Sequence, residues 1–275
     1  MHSLNFLWTL SKARLRWIKS TPGSNFNWIF VPGGPGLGSE SLVQLTEMLN
    51  LPGTFWHFDF SDDGSNIIEN TGENFGLHWS NGLLEVTAAL PNVILVTHSA
   101  GGMFALATPD LEKNLKGLVL MDSAPDFTWQ KFFSDHVSRH PIAKMSQLQS
   151  QYEKNPSNDL LKQLVKVCVP YFSMSISQDK LLKIIDTLPI NFKSHLWAHK
   201  YFDKTYQAKW VPQNVATLIF AGSDDHITPI ELFIEQPEFQ RKNIAIKKIT
   251  HAGHFPWLEN SPQILLEFEQ FYQRL

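Results

Sequence analysis

A single cysteine, Cys168, stands in a chain of 275 residues. One thiol cannot build an intramolecular disulfide framework, and it leaves no cysteine cluster for zinc. A reducing compartment fits this usage, and a cytoplasmic location is expected. Charge is also sparse: 18% of residues are charged, the net charge is −3, and no basic tract occurs. Nucleic-acid binding therefore has no electrostatic footing. No apolar run approaches the ~20 residues of a membrane-spanning helix, so no membrane insertion is expected. Met1 to Leu10 lacks a basic start and a small-residue cleavage site, so no signal peptide is expected. Carboxylates gather at Asp59, Asp62 and Asp63, but the D-x-D-x-D-G calcium spacing with its distal Glu is missing. That stretch reads as a solvated loop. The glycine-rich loop Pro32-Gly33-Gly34-Pro35-Gly36 lacks the lysine of a phosphate-binding P-loop. No metal and no cofactor are expected.

What is present is an ordinary globular composition, with 43% hydrophobic residues. A chain of this length buries roughly 70–75% of its unfolded surface, enough for a core without staples. Short apolar runs read as buried strands at Trp28–Val31, Phe55–Phe60, Val93–Thr97, Leu118–Met121, Thr217–Ala221 and Ile244–Ile249. An opening hairpin is expected from Asn5–Leu10 and Ala13–Lys19. Helices are expected over Ser39–Leu49 and Leu77–Leu90, and in a closing segment capped by Ser261 with Pro262 in its first turn. Strands alternating with helices indicate a mostly parallel sheet covered on both faces. The alternation stops between residues 125 and 211, where five helical stretches are broken at Pro141, Pro156, Pro170 and Pro189. This segment carries 12 Lys and Arg against 7 Asp and Glu, unlike the acidic remainder. The expected organisation is an α/β core of residues 1–124 and 212–275, with a helical cap of residues 125–211 inserted into it.

Chemistry concentrates where strands end. Val93 to Thr97 runs into His98-Ser99-Ala100-Gly101-Gly102 and then an apolar helical run. Strand, sharp turn with a central serine, helix is the context of a nucleophile elbow. The turn strains the serine backbone and lifts its Oγ above the sheet, so positions two before and two after must be small. Gly101 meets this demand, while Thr97 stands where the pattern G-x-S-x-G has its first glycine. A serine hydroxyl is a poor nucleophile at neutral pH and needs a base, which in turn needs an acid to orient it. Loops after later strands offer Asp224 and Asp225, then His251 and His254. The order Ser, Asp, His is the one expected of α/β-hydrolases. His98 reads as structural, and Asp122, at another strand end, as a less favoured acid. In the glycine loop Pro32 and Pro35 have no N–H, so Gly33, Gly34 and Gly36 are the candidate donors to an oxyanion.

These motifs resemble the capped branch of the α/β-hydrolase family that includes proline iminopeptidases and related serine esterases. Val31-Pro32-Gly33-Gly34-Pro35-Gly36 is similar to the family's H-G-G-P-G oxyanion loop. Gly222-Ser223-Asp224-Asp225-His226-Ile227-Thr228-Pro229 is similar to its acid loop, G-x-x-D-x-[IV]-x-P. Gly253-His254-Phe255-Pro256-Trp257-Leu258-Glu259 is similar to its histidine loop, G-H-F-P-W-x-E, and is the most specific match. The resemblance implies an α/β-hydrolase fold, Ser99 as nucleophile, His254 as general base and then acid, and Asp225 as orienting carboxylate. It implies the backbone N–H groups of Gly34 and Ala100 as the oxyanion hole. The spacing of that motif selects Asp225 over Asp224, and the glycine context selects His254 over His251. Pro32 and Thr97 depart from the family pattern.

Serine at position 99 excludes the aspartate nucleophile of haloalkane dehalogenases and epoxide hydrolases. The expected activity is acyl transfer to water on a small, neutral or apolar ester. The expected partner is a small-molecule substrate; oligomeric state is not legible. An iminopeptidase-like aminopeptidase is the alternative, weakened because the expected cap has one glutamate, Glu153, and an excess of lysine. A non-catalytic ligand-binding protein and a C–C bond hydrolase or lyase use the same scaffold and stay open.

Overall fold

The computed structural model describes residues 6–68, 75–174 and 176–275, and the side chains of 75–77 are left out as well. Asn5, the first residue of the expected hairpin, lies outside the described residues. The chain opens with strands β1 (Phe6–Trp8), β2 (Arg14–Thr21) and β3 (Asn27–Val31). Helix α1 (Val43–Met48), β4 (Gly53–Asp59), α2 (Phe75–Ala89), β5 (Val93–His98), α3 (Ala100–Leu106) and β6 (Leu115–Met121) follow. Between β6 and β7 (Ala216–Gly222) lie six helices: α4 (Trp129–Arg139), α5 (Ala143–Lys154), α6 (Asn158–Val167), α7 (Val169–Phe172), α8 (Gln178–Thr187) and α9 (Phe192–Trp197). The chain closes with α10 (Glu231–Ile234), β8 (Ile244–Ile249), α11 (Pro256–Glu259) and α12 (Ser261–Tyr272).

The eight strands form one sheet in the order β1-β2-β4-β3-β5-β6-β7-β8. The hairpin β1–β2 joins antiparallel at one edge, and from β4 to β8 every pairing is parallel. Both faces are buried, so the central strands are apolar at consecutive positions. Ile94 and Val96 of β5 pack on one face with Ile264, Phe268 and Phe271 of α12. Val93 and Leu95 pack on the other with Trp79 and Leu83 of α2 and Phe104 of α3. All the catalytic candidates leave the sheet at the carboxyl ends of β3, β5, β6, β7 and β8, where ligands gather in parallel sheets.

Three expectations need correction. The polar stretch after β4 is not a solvated loop: Asp59, Asp62 and Asp63 are all buried. Asp59 accepts Arg14 Nε at 3.0 Å, Arg16 Nε at 2.8 Å and a short hydrogen bond from Ser39 Oγ. That buried ion pair fastens the opening hairpin to β4. The single helix expected over Ser39–Leu49 starts as a tight turn at Ser39–Leu42 before α1. Ser261 is the first residue of α12, not its cap; Asn260 caps it, its side chain accepting the Gln263 N–H.

Gly222, at the end of β7, has no room for a side chain. A Cβ there would stand 2.1 Å from the Ala252 carbonyl oxygen and 2.3 Å from that of Gly253. Backbone atoms cannot yield to it, so Gly222→Ala is expected to destabilise the fold by roughly 3 kcal/mol. In a thermal melt this reads as a loss of ~6–12 °C. A variant melting with the wild type would show that the β7–β8 ends are looser than described.

Candidate active site

Strand β5 delivers Ser99 straight into the start of α3. Ser99 has φ 50° and ψ −123°, a conformation costing a non-glycine residue about 1–3 kcal/mol. Its neighbours hold it there. Ser99 N–H donates to the Met121 carbonyl at 2.8 Å, and Ser123 Oγ donates to the Ser99 carbonyl at 2.9 Å. A Cβ on Gly101 would lie 2.5 Å from the Pro32 carbonyl oxygen, and one on Gly102 2.5 Å from Ser123 Oγ. Thr97 fits where glycine was expected because its hydroxyl donates to the Val119 carbonyl at 2.9 Å inside the sheet.

Around this serine the structure brings together the three side chains that the motifs single out. His254 Nε2 lies 3.0 Å from Ser99 Oγ, and His254 Nδ1 lies 2.9 Å from Asp225 Oδ2. A carboxylate only accepts, so the imidazole proton belongs on Nδ1 and leaves Nε2 free to accept from the serine hydroxyl. Asp225 is anchored from its own loop. Its Oδ1 accepts the N–H groups of Ile227 at 2.9 Å and Thr228 at 3.2 Å, and its Oδ2 accepts Thr228 Oγ1 at 2.9 Å. Burial would raise its pKa, but the His254 imidazole and these hydrogen bonds outweigh burial and hold Asp225 down to about 2. Asp224 and His251, the near-duplicates, are exposed and stay outside this constellation.

The histidine loop is itself clamped. Gly253 N–H donates to Glu259 Oε2 at 2.5 Å, and His254 N–H donates to the Phe172 carbonyl at 2.8 Å. Glu259 Oε1 meanwhile accepts Ser173 Oγ at 2.9 Å and Met174 N–H at 2.6 Å. One carboxylate thus joins the loop after β8 to the segment between β6 and β7. The role of Glu259 is not visible in the sequence, because two of its donors, Ser173 and Met174, lie 85 or more residues away. His98 packs between His254 and Trp257, with ring centroids 4.9 Å from each, and its Nε2 lies 2.9 Å from the His254 carbonyl. Burial, reinforced by the adjacent His254, pushes His98 down to about 3, so it stays neutral and supports the loop.

The glycine loop passes beside the serine. A Cβ on Gly33 would stand 2.7 Å from Ser99 Cβ. Gly34 has φ +117°, which glycine alone adopts freely. Ala100 is the first residue of α3, so its N–H has no acceptor within the helix. Gly36 drops out as a candidate donor because its N–H is taken by Asp63 Oδ1 at 2.7 Å. Gly33, Ala100 and the rings of Phe60, Trp79 and Phe104 meet here around a crevice too tight to admit a water molecule. The site is otherwise closed over: Ser99 is 9% exposed and His254 5%.

Asp122, Asp225 and His254 offer ligand atoms within 4.8 Å of one another, the one such group among the described residues. The Asp225–His254 hydrogen bond already uses the facing atoms of that pair. Asp122 Oδ1 accepts the Gly222 N–H at 3.0 Å. Burial, and then the Asp225 charge, push the Asp122 pKa well above its ordinary value. Among the described residues no helix is long and apolar enough to cross a membrane.

The raised pKa has a direction in pH. Both folded and unfolded Asp122 are protonated below the unfolded value near ~4. Above it the unfolded chain gives up its proton first, so stability falls as pH rises toward the folded value. Asp122→Asn keeps an acceptor for Gly222 and cannot ionise. Urea unfolding should therefore show its stability relative to wild type improving from pH 5 to pH 8. A difference independent of pH would mean that Asp122 is ionised throughout.

No curated protein sequence matches the chain significantly. Solved structures match over almost its whole length. An esterase from Thermogutta terrifontis shares 15% identity, with 98% of this chain and 97% of that one covered at a TM-score of 0.70. A proline iminopeptidase-related protein from Thermus thermophilus shares 14% identity over 97% and 95%, with a TM-score of 0.71. An epoxide hydrolase from Bacillus megaterium shares 13% over 98% and 99%, with a TM-score of 0.68. At such identities the likeness establishes the fold alone. The model of the alpha/beta hydrolase family matches residues 28–267, from β3 into α12, and the chain belongs to that family.

Proposed function

We propose that this chain is a serine hydrolase that cleaves a small, neutral or apolar ester through an acyl-enzyme. The observation that carries the reading is the continuous Ser99–His254–Asp225 relay, at 3.0 and 2.9 Å, built on a serine held at positive φ. Ser99 Oγ passes its proton to His254 Nε2 as it attacks the ester carbonyl. The imidazolium that forms is stabilised by Asp225, which stays ionised. The developing oxyanion is met by the N–H groups of Ala100 and Gly34. His254 then protonates the leaving alkoxide, and water repeats the sequence in reverse to release the acid. Residues 125–211 act as a cap over a core of 1–124 and 212–275, and substrate access requires the cap to move, since Ser99 is nearly covered.

The apolar preference rests on the walls. Phe60, Trp79 and Phe104 line the tight crevice beside Ala100, with Trp197 edge-on to Trp79 and Phe202 stacked on Phe104 behind them. The similar structures include an esterase and a proline iminopeptidase-related protein, which agree with acyl transfer and differ on the leaving group.

The test is turnover of p-nitrophenyl acetate, butyrate and octanoate beside proline β-naphthylamide. Ester cleavage falling by ~4–6 orders of magnitude in Ser99→Ala supports the reading. Asp225→Asn should fold normally and lose about 10⁴-fold, because the imidazole proton then sits on the wrong nitrogen. Proline-amide cleavage that depends on Ser99 would make the enzyme an aminopeptidase. Silence on every substrate, with a ligand still bound by Ser99→Ala, would make the chain a binding protein.

A further inference from the structure

Asp63 is buried, at 1% exposure, in the turn after β4, and its carboxylate is aimed at the glycine loop. Its Oδ1 accepts the Gly36 N–H at 2.7 Å and Ser194 Oγ of α9 at 2.8 Å. From the other side, Asn191 N–H donates to the Gly36 carbonyl at 2.8 Å, and Asn191 Nδ2 donates to the Asp62 carbonyl at 2.7 Å. Both backbone polar groups of Gly36 are thereby taken, one by the turn after β4 and one by the start of α9. The approach is too close for any other residue: a Cβ on Gly36 would lie 2.6 Å from the Asn191 carbonyl oxygen. One on Gly64 would lie 2.4 Å from Gly38 Cα. Three segments far apart in sequence therefore interlock through one carboxylate and two backbone contacts.

We propose that Asp63 is a positioning residue for the oxyanion loop, and that it makes that loop's geometry depend on the docking of α9. The proposal rests on the serine-hydrolase reading of Ser99. Gly34 lies two residues from the clasped Gly36, and a donor to an oxyanion is useful only when its N–H is fixed before charge develops. A glycine-rich loop has little of its own to fix it. Asp63 supplies the restraint from inside the protein, where its hydrogen bonds are not exchanged with water. It touches neither Ser99 nor His254 and acts through Gly36. Burial lifts its pKa to about 6, and the hydrogen bonds from Ser194 and Gly36 oppose that rise, as expected of an acceptor engaged from two sides.

The experiment compares Asp63→Ala, Asp63→Asn and Ser194→Ala with wild type in two measurements. One is p-nitrophenyl acetate turnover, and the other is amide hydrogen exchange of residues 33–38 and 191–196. Asp63→Ala is expected to lower kcat by about 10- to 100-fold with KM changed by less than about threefold, since donors to the transition state are lost and ground-state contacts are not. Asp63→Asn, whose Oδ1 still accepts both hydrogen bonds, is expected to recover most of that loss. Exchange should rise in both segments together in Asp63→Ala and, to a smaller extent, in Ser194→Ala. A folded Asp63→Ala with wild-type kcat overturns the proposal, and so does unchanged exchange at residues 33–38. If Asp63→Ala does not fold, the proposal falls should Ser194→Ala leave exchange at 33–38 unchanged. If the wild type cleaves no ester, the hydrolase reading fails by itself, and the exchange data still decide whether Asp63 holds the loop.

Discussion

Ser99 sits at positive φ between the end of β5 and the first turn of α3. A serine does not adopt that conformation unaided, and the cost of about 1–3 kcal/mol must be met by its surroundings. The surroundings are arranged for it. Val93 to His98 is buried on both faces, so the strand cannot shift to relax the turn. Gly101 and Gly102 let α3 lie against Pro32 and Ser123 at distances that any Cβ would forbid. The hydrogen bonds through Met121 and Ser123 tie the elbow to β6 and the turn that follows it. Moving the elbow would mean moving the middle of the sheet.

Carboxyl groups do the rest of the fixing, each by a different means. Asp59 is neutralised by two arginines, and the pairing joins the hairpin to β4. Asp225 is kept ionised by His254 and by the N–H groups of its own loop. Asp122, a few ångströms away, has its pKa raised by burial and by the Asp225 charge, which disfavours a second buried charge. Two carboxylates at such a spacing cannot both ionise cheaply in a dry interior. Of the two, Asp225 faces the imidazole, and Asp122 braces Gly222 behind it.

The sheet was legible because its strands are short apolar runs punctuated by glycine, proline and polar turns, and boundaries fell within a few residues. Ser99, Asp225 and His254 were legible because each stands in a local pattern at a strand end. Ile227 and Thr228 explain why the acid-loop spacing works: their N–H groups reach back to Asp225. Asp62 and Asp63 were misread because the segment that covers them is distant in the chain. Asn191, 129 residues beyond Asp62, donates to its backbone carbonyl, and Ser194, 131 residues beyond Asp63, donates to its carboxylate. A carboxylate in a polar stretch looks solvated unless the donors that will bury it are known. The same holds for Asn260, which outcompetes Ser261 as a cap because its side chain also reaches the Thr250 carbonyl at 2.8 Å.

Glu259 and Asp63 show a shared principle. Each is a carboxylate of the core that accepts hydrogen bonds from one loop beside Ser99 and from one stretch of the helical segment between β6 and β7. The histidine loop is tied to residues near Phe172, and the glycine loop to residues near Asn191. The helical segment is therefore fastened close to Ser99 and His254 on two sides, while its helix α4 has no fully buried residue. Displacement of such a segment is cheapest where the fewest buried polar contacts must break, because each lost partner leaves a desolvated charge or dipole. Displacing the stretches near Phe172 and Asn191 therefore costs more than displacing α4, whose His136 meets the acid loop through a ring stacked on His226.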